Sequence, residues 1–246
     1  MYATGLTAIG KVRSHNEDAY FCSTKPVGAL PNLFIVADGM GGHNAGEVAS
    51  AKSLEYSLEF INKYHDQPMA HVSDYQNILV TATNHANNDV YKLSILDPEY
   101  QGMGTTYTAC TFINETMAVS HIGDSRIYAF SPHGITQVTK DHTMVQELVD
   151  AGTISKQEAK IHPQRNMLTR VLGCDPYTTA DGFFYNINKT DSILICSDGL
   201  TDMLTDEEIF NIVMKKDTVQ DRAKALVSTA NENGGIDNIT VIIIDL

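Results

Sequence analysis

Short apolar runs separated by polar turns predict the strands of this chain. Continuous apolar runs at 33–37 and 239–244 are typical of strands that are buried on both faces. The short link Asn114-Glu115 predicts a hairpin, and links of this length favour antiparallel pairing. Further strands are predicted from shorter or loosely alternating segments at 2–10, 105–113, 116–122, 126–130, 178–187 and 193–196.

Apolar residues that recur every three or four positions predict the longer helices. The first helix is expected over 45–64, and the residues that share its apolar face are Val48, Ala51, Leu54, Leu58 and Ile61. The other helices are expected over about 74–96, from Thr205 onwards, and over about 219–231.

The stretch from 141 to about 172 differs from its surroundings because it is polar and rich in helix-start signals. Thr143 with Gln146, and Ser155 with Glu158, have the spacing of capping boxes. This stretch is therefore predicted to be a helical insert between strands.

Strand-rich and helix-rich segments are segregated along the chain and do not alternate. Segregation of this kind predicts an α+β fold in which sheets pack together and helices lie outside them. The length of 246 residues suits one large domain or two small ones. No internal repeat, low-complexity segment or long linker divides the sequence.

Charge and cysteine usage exclude several classes of function. The net charge of −13 argues against a protein that binds nucleic acid through phosphate contacts. The four cysteines include no C-x-x-C pair, so neither a zinc knuckle nor a redox motif is indicated. No apolar run reaches the length of a membrane span and the N-terminus lacks a signal pattern. These features predict a reduced, cytoplasmic setting.

Four aspartates stand at the ends of apolar strands that are far apart in the sequence. Asp38, Asp124 and Asp198 follow such strands, and Asp237 comes just before the last one. Carboxylates gathered at a sheet edge repel one another unless a cation lies among them. Oxygen ligands without clustered histidines or cysteines favour a hard cation, Mg²⁺ or Mn²⁺. The placement therefore indicates a metal-dependent enzyme.

The dipeptide Asp-Gly follows an apolar strand twice, at Asp38-Gly39 and at Asp198-Gly199. Each occurrence alone is also compatible with an ordinary turn, since Asp-Gly is a common turn dipeptide. In the functional interpretation, glycine lets the main chain approach a ligand, so that its carbonyl joins the aspartate in coordination.

Arg13 stands four residues before the adjacent acids Glu17 and Asp18. This arrangement is compatible with a solvated, charged turn. It is also compatible with a guanidinium fork for a phosphate beside a metal-binding carboxylate, because arginine presents paired donors that match phosphate oxygens.

Six short motifs follow one another over nearly the whole chain. They are Arg13 with Glu17-Asp18, Asp38-Gly39-Met40-Gly41-Gly42-His43, Gly104-Thr105-Thr106, Gly123-Asp124-Ser125-Arg126, Ser197-Asp198-Gly199-Leu200 and Asp237-Asn238-Ile239-Thr240. In this order they resemble the PPM (type 2C) metal-dependent Ser/Thr protein phosphatases, in their compact bacterial branch. The resemblance implies one catalytic domain over 1–246, built as an αββα sandwich of two antiparallel β-sheets flanked by helices. It also implies a mobile flap at about 141–172.

The resemblance further implies a centre with two Mn²⁺ or Mg²⁺ ions and a third, weaker site. By position, the roles that it implies are Asp38 as the bridge between both ions, Asp198 and Asp237 as ligands of one, Gly39 and Asp18 as ligands of the other, Glu17 as the holder of coordinated waters, and Asp124 with Asp198 as the third site.

Catalysis of this kind implies that Arg13 binds the substrate phosphate while a hydroxide held between the two ions attacks phosphorus in line. The proton donor is left open. Many eukaryotic members carry histidine directly after the metal-site Asp-Gly, where this chain has Met40. His43, three residues further on, is the candidate general acid. A coordinated water, or assistance by the metals alone, are the alternatives.

The resulting prediction is an enzyme that hydrolyses phosphoserine and phosphothreonine in proteins and reverses a bacterial Ser/Thr kinase, acting as a monomer. A pseudophosphatase scaffold is the first rival, and the complete acidic set argues against it. A different metal phosphohydrolase or a nuclease is the second, and the negative charge without basic, aromatic tracts argues against nucleic acid. A structural Ca²⁺ module would need a contiguous acidic loop, which the sequence lacks.

Overall fold

The structure, a computed structural model, describes residues 1–42, 45–65, 69–187, 192–215 and 217–246. The described strands are β1 (Tyr2–Ala8), β2 (Asp18–Ser23), β3 (Leu33–Met40), β4 (Gly104–Thr105), β5 (Tyr107–Ile113), β6 (Thr116–Ile122), β7 (Arg126–Ser131), β8 (Gly134–Gln137), β9 (Asp181–Asn186), β10 (Ser192–Cys196) and β11 (Ile239–Asp245). The described helices are α1 (Ala45–Asn62), α2 (Val72–Leu96), α3 (Met144–Asp150), α4 (Lys156–Ile161), α5 (Asp198–Thr201), α6 (Asp206–Val213), α7 (Val219–Glu232) and a short 3-10 helix, Pro98–Tyr100.

The strands form two antiparallel sheets that pack face to face. One sheet has the order β1-β11-β10-β7-β8 and the other the order β2-β3-β5-β6-β9, with β4 beside β3. The helices cover the outer faces, so the predicted α+β sandwich with flanking helices is confirmed. Among the described helices, none has both the length and the apolar character that crossing a bilayer requires.

The continuous apolar runs arise because the central strands are buried on both faces. In β3, Phe34 and Val36 point into the layer between the sheets, whereas Leu33 and Ile35 pack under α1 and α2. Strand β11 alternates in the same way between the inter-sheet layer and the layer under α7. Antiparallel sheets often leave one face in water, but here helices cover that face, which removes the usual polar alternation.

The structure departs from the predicted strands at several places. Strand β2 was not predicted, since it lies at the edge of its sheet and is only half-buried along its length, so it has no apolar run. Strand β8 was missed as well; it is also an edge strand and has no buried residue. The strand expected over 105–113 is interrupted at Thr106, and the one expected over 178–187 begins only at Asp181.

The polar stretch 141–172 contains the two predicted short helices, α3 and α4. Ser155 accepts a hydrogen bond from the Glu158 amide while the Glu158 carboxylate accepts one from the Ser155 amide, which confirms that capping box. The two ends of the stretch are tied together, because Met144 N donates to Met167 O over 2.8 Å. The stretch is thus closed at its base.

Candidate metal centre

The predicted carboxylates meet at one end of the layer between the two sheets. All of them except Asp18 line a cavity of about 250 Å³, whose lining residues are Arg13, Glu17, Asp38, Gly39, Met40, Gly41, Thr106, Asp124, Asn166, Leu168, Asp198 and Asp237. A second cavity, of about 230 Å³, lies at the other end of the strands beside Asn114-Glu115, and no aspartate lines it. The acidic cavity is therefore the candidate site.

The main chain of Asp38 is fixed by the motif Gly104-Thr105-Thr106. Asp38 N donates to Thr106 Oγ1 over 2.9 Å, and Asp38 O accepts from Thr106 N over 2.8 Å and from Thr105 Oγ1 over 2.9 Å. The break between β4 and β5 at Thr106 is what makes these three bonds possible. A motif to which the sequence assigned no role therefore positions the central carboxylate.

Gly39 lies within β3, so the turn interpretation of Asp38-Gly39 is wrong. A Cβ at Gly39 would lie 2.1 Å from the carbonyl oxygen of Gly46 and 2.5 Å from that of Glu17. Both distances are far below ordinary contact. Glycine is thus required because the start of α1 and the residue before β2 approach the main chain here.

Gly199 shows the same close approach on the opposite sheet. Asp198 is the first residue of α5, and a Cβ at Gly199 would lie 1.9 Å from the carbonyl oxygen of Asn238. The same Cβ would lie 3.4 Å from the side chain of Asp237. The missing side chain at Gly199 therefore lets Asp198 and Asp237 reach the cavity side by side.

Asp18 faces Asp38 across the β2–β3 pair and carries a buried oxygen without a partner. Its Oδ2 accepts from Ser197 Oγ over 2.9 Å and from Thr240 Oγ1 over 2.6 Å. Its Oδ1 is buried with no hydrogen-bond partner. Burial raises the pKa of the Asp18 carboxyl to about 6. A buried, unpaired carboxylate oxygen is a suitable donor to a hard cation.

Burial and mutual repulsion raise the pKa values of the other carboxyls as well. The pKa of Asp38 lies well above its usual range because of burial and of the charges of Asp18 and Asp198. Burial and the charge of Asp124 do the same to the pKa of Asp198. Burial, and then Asp141, raise the pKa of Asp124 to about 7. A divalent cation among these groups would favour their charged forms.

The donor set fits Mn²⁺ or Mg²⁺ in spite of one apparent conflict. Among the described residues, no three His, Cys, Asp or Glu side chains are grouped around a common point as a metal-binding set. Ions of this kind keep several waters, and a main-chain carbonyl such as that of Gly39 supplies further oxygen. The buried, mutually repelling carboxylates and the unpaired Asp18 oxygen therefore suit such an ion, although they are not grouped around one point.

Arg13 lies at the mouth of the cavity, paired with Asp237. Its Nη2 donates to Asp237 Oδ2 over 2.7 Å, and the side chain of Arg13 is 49% exposed. A guanidinium has five N–H donors, and this bond uses one. The arrangement holds Arg13 at the cavity, and the phosphate fork stays a prediction.

Glu17 reaches the cavity because its main chain is anchored to helix α1 and to the residue before β11. Glu17 N donates to Asn238 Oδ1 over 2.8 Å, and Glu17 O accepts from Ser50 Oγ over 2.6 Å. Burial raises the pKa of the Glu17 carboxyl.

The sequence did not assign roles to the polar residues that support the site. They are Ser50, Thr106, Ser197, Asn238 and Thr240. Three of them stand within three residues of a predicted aspartate, and a hydroxyl or amide next to such an aspartate is the signal that could have found them. His43, the candidate general acid, lies outside the described residues, whereas Met40 is 40% exposed at the cavity wall.

Comparison with known proteins identifies the family. A profile described as protein phosphatase 2C matches residues 10–234. The serine/threonine phosphatase stp of Listeria monocytogenes (strain F2365) is 34% identical over 252 residues, covering 100% of this chain and 96% of that protein. The crystal structure of the Mycobacterium tuberculosis serine/threonine phosphatase PstP/Ppp has a TM-score of 0.88 and 35% identity, and the match covers 100% of this chain and 98% of that one.

A further similar solved structure contains metal ions. It is the catalytic domain of serine threonine protein phosphatase PstP in complex with two manganese ions, with a TM-score of 0.84, 33% identity and coverage of 99% of this chain and 97% of that one. The profile match and the identity over the full chain agree with the sandwich fold and with the order of the six motifs. This chain therefore belongs to the protein phosphatase 2C family of serine/threonine phosphatases.

Proposed function

We propose that the chain hydrolyses phosphoserine and phosphothreonine in proteins with Mn²⁺ or Mg²⁺ held by the cavity carboxylates. The observation that carries this proposal is the convergence of Asp18 and Asp38 from one sheet with Asp198 and Asp237 from the other. The relative solved with two manganese ions supports the choice of cation.

The roles that we assign follow the positions of the side chains. Asp38, central among the carboxylates, would bridge two ions, with Asp198 and Asp237 on one side. Gly39 and Asp18 would be ligands of the other ion, and Glu17 would hold its coordinated waters. The bound ions supply an activated water and a Lewis acid for the phosphoryl oxygens. Asp124, with Asp198, would form the third and weaker site.

Arg13 binds and orients the phosphate in this proposal. Its guanidinium stays at the cavity mouth through Asp237 and presents its remaining donors toward the entering group. No cysteine lines the described part of the cavity, which agrees with direct attack by water and not with a cysteinyl intermediate. His43 is the general acid that we propose, with a water molecule as the alternative donor.

The wider setting is part of the same proposal. Residues 1–246 act as one catalytic domain and as a monomer, and they oppose a Ser/Thr kinase in the cytoplasm. The stretch 141–172 acts as the flap, since Asn166 and Leu168 from its end line the cavity wall.

The direct test is hydrolysis of short phosphopeptides by the purified chain. We expect phosphate release from phosphoserine and phosphothreonine peptides with Mn²⁺, and loss of at least about a thousand-fold in rate with excess EDTA, because metal assistance contributes several kcal/mol to the barrier. Restoring free Mn²⁺ should restore the rate. Undiminished hydrolysis in EDTA, or none with either Mn²⁺ or Mg²⁺, would reject the proposal.

Replacing Arg13 with alanine should raise KM for phosphopeptides about 10- to 100-fold and leave kcat within a few-fold. Hydrogen bonds to charged groups contribute roughly 1.5–3 kcal/mol, and Arg13 offers them to a phosphate that is bound before reaction. Steady-state kinetics at saturating Mn²⁺ measure the effect, and Lys52→Ala, which removes an exposed cation on α1, is the control. Unchanged KM with a lowered kcat would instead place Arg13 in transition-state stabilisation alone.

A further inference from the structure

Gly123, the residue before Asp124, has both of its main-chain polar groups bound by a single residue, His142. His142 N donates to Gly123 O over 2.8 Å, and Gly123 N donates to His142 Nδ1 over 3.0 Å. Gly123 has a φ of +102°, and a Cβ there would lie 2.6 Å from the Thr106 side chain. The turn that leads into Asp124 is therefore held by Thr106 on one side and by His142 on the other.

These contacts fix the tautomer of His142. Because Nδ1 accepts a hydrogen bond from Gly123 N, it carries no proton, so the proton of the neutral ring is on Nε2. Nε2 then donates to Asp181 Oδ2 over 3.1 Å. A ring protonated on both nitrogens would place an N–H against the Gly123 N–H.

A partly exposed ion pair at the start of β9, Arg170 with Asp181, helps to keep His142 in this state. Arg170 binds Asp181 through two bonds, Nη1 to Oδ1 at 2.6 Å and Nη2 to Oδ2 at 2.9 Å. Asp181 Oδ2 thus accepts from both Arg170 Nη2 and the ring Nε2, and these two nitrogens, which both carry hydrogen, lie side by side without a hydrogen bond between them. The side chain of His142 is only 4% exposed. Burial and the charge of Arg170 lower the pKa of His142, so the neutral ring persists at neutral pH.

His121 supports the ring from the other side. The two imidazole rings are 4.7 Å apart between centroids. His121 Nε2 lies 3.0 Å from Lys140 O, which only accepts, so His121 donates from Nε2 and accepts the Thr108 hydroxyl at Nδ1 over 2.9 Å. Burial lowers the pKa of His121 to about 3. Both histidines are thus neutral and fixed in orientation.

We propose that His142, as its Nε2–H tautomer, is a positioning residue that holds the Gly123–Asp124 turn so that the Asp124 carboxyl lines the cavity. The same residue anchors the stretch 141–172, because His142 O accepts from Thr169 N over 2.8 Å. His142 therefore connects the base of that stretch to an acidic residue of the site. We call the two hydrogen bonds between His142 and Gly123 the clamp. Only the expected effect on cation binding rests on the proposed function, whereas the clamp does not.

The chain offers two substitutions that separate the two bonds of the ring. In His142→Asn the amide oxygen occupies the place of Nδ1 and accepts from Gly123 N, but the side chain is too short to reach Asp181. In His142→Gln the amide reaches Asp181 and leaves no acceptor at the Nδ1 position. The two variants are nearly equal in polarity, so each is the control of the other.

The first measurement is nuclear magnetic resonance of the ¹⁵N-labelled, metal-free protein. We expect the His142 ring to show the Nε2–H tautomer at pH 7. The Gly123 amide signal should shift in His142→Gln and stay close to the wild type in His142→Asn. A charged ring, the Nδ1–H tautomer, or an unmoved Gly123 amide in His142→Gln would overturn the clamp.

The second measurement is calorimetric titration of the metal-free proteins with MnCl₂, without substrate. Loss of a group that orients a ligand typically lowers metal affinity about 10- to 100-fold. We expect such a loss in the weakest binding step of His142→Gln and less than about a three-fold change in His142→Asn, with similar urea midpoints for both. Equal Mn²⁺ affinities in all three proteins would overturn the positioning role. No Mn²⁺ binding by the wild type would reject the proposed function and leave the clamp decided by the first measurement.

Discussion

Asp38→Asn should lower Mn²⁺-dependent phosphopeptide hydrolysis by about a thousand-fold or more in kcat/KM. Asp38 is the carboxylate on which the charges of Asp18, Asp198, Asp124 and Asp237 all act. Two unit charges about 4 Å apart interact by roughly 4 kcal/mol at the effective dielectric of a protein surface. The attraction that a divalent ion loses when the Asp38 carboxylate becomes a neutral amide is larger than that. The kinetics are measured at one fixed Mn²⁺ concentration.

The same variant should unfold at a higher urea concentration than the wild type when both are metal-free. Asparagine keeps the shape of the side chain, and the bonds with Thr105 and Thr106 are made by the main chain of residue 38, so they remain. Removal of one buried charge among like charges should stabilise the fold by about 1–3 kcal/mol.

Glu207→Gln, at an exposed position of α6, is the control. It should change neither kcat/KM with Mn²⁺ nor the urea concentration at which the metal-free protein unfolds. The two effects of Asp38→Asn have opposite signs, which separates a lost ligand from a lost fold. Retention of more than about a tenth of the activity would contradict the role of Asp38, and a metal-free variant less stable than the wild type would contradict the repulsion.

The metal-free wild type should lose stability as the pH rises from 5 to 7.5. A carboxyl whose folded-state pKa is raised holds its proton in the folded state after the unfolded chain has released it, so the free energy of unfolding falls with pH in that window. The pKa values are about 6 for Asp18 and about 7 for Asp124, against 3.8 for an ordinary aspartate. At about 1.4 kcal/mol per pKa unit, the span from pH 5 to each folded-state pKa corresponds to a loss of about 1.4 kcal/mol from Asp18 and roughly 2–3 kcal/mol from Asp124.

With Mn²⁺ in excess, the trend should reverse, because protons compete with the cation for the same oxygens and the ion binds more tightly as they leave. At a free concentration about 100 times the dissociation constant, binding adds about 2.7 kcal/mol to the free energy of unfolding. Urea unfolding at several pH values, in EDTA and in Mn²⁺, measures both trends.

Asp38→Asn provides the control for this pH experiment. It shares every histidine with the wild type, so the difference between the two proteins reports the carboxylates, and its slope in EDTA should be shallower. A metal-free wild type that gains stability relative to Asp38→Asn between pH 5 and 7.5 would show that the carboxylates do not repel one another as described.

The sequence predicted the layers of the fold and the convergence of the acids for one physical reason. Strands buried on both faces are apolar throughout, so Asp38 and Asp198 stand out as the first charges after such a strand. Edge strands carry no such signal, and β2 was therefore missed although it begins with Asp18.

The contacts that complete the site could not be predicted from local sequence patterns. The Arg13–Asp237 bond joins residues 224 positions apart, and the Thr240–Asp18 bond joins residues 222 positions apart. The clamp of His142 on Gly123 depends on how the stretch 141–172 returns to the sheet. Such contacts follow from the packing of two complete sheets, which periodicity and spacing do not encode.

The place of β11 in its sheet bears on when the protein becomes active during synthesis. This strand comes last among the described strands, yet it lies between β1 and β10, and it begins two residues after Asp237. Until the ribosome releases that segment, the first strand has no neighbour in its sheet, and the site lacks Asp237 and the bonds that Asn238 and Thr240 make to Glu17 and Asp18. Nascent chains are therefore expected to remain inactive, so that unfinished copies do not strip phosphate from cellular proteins.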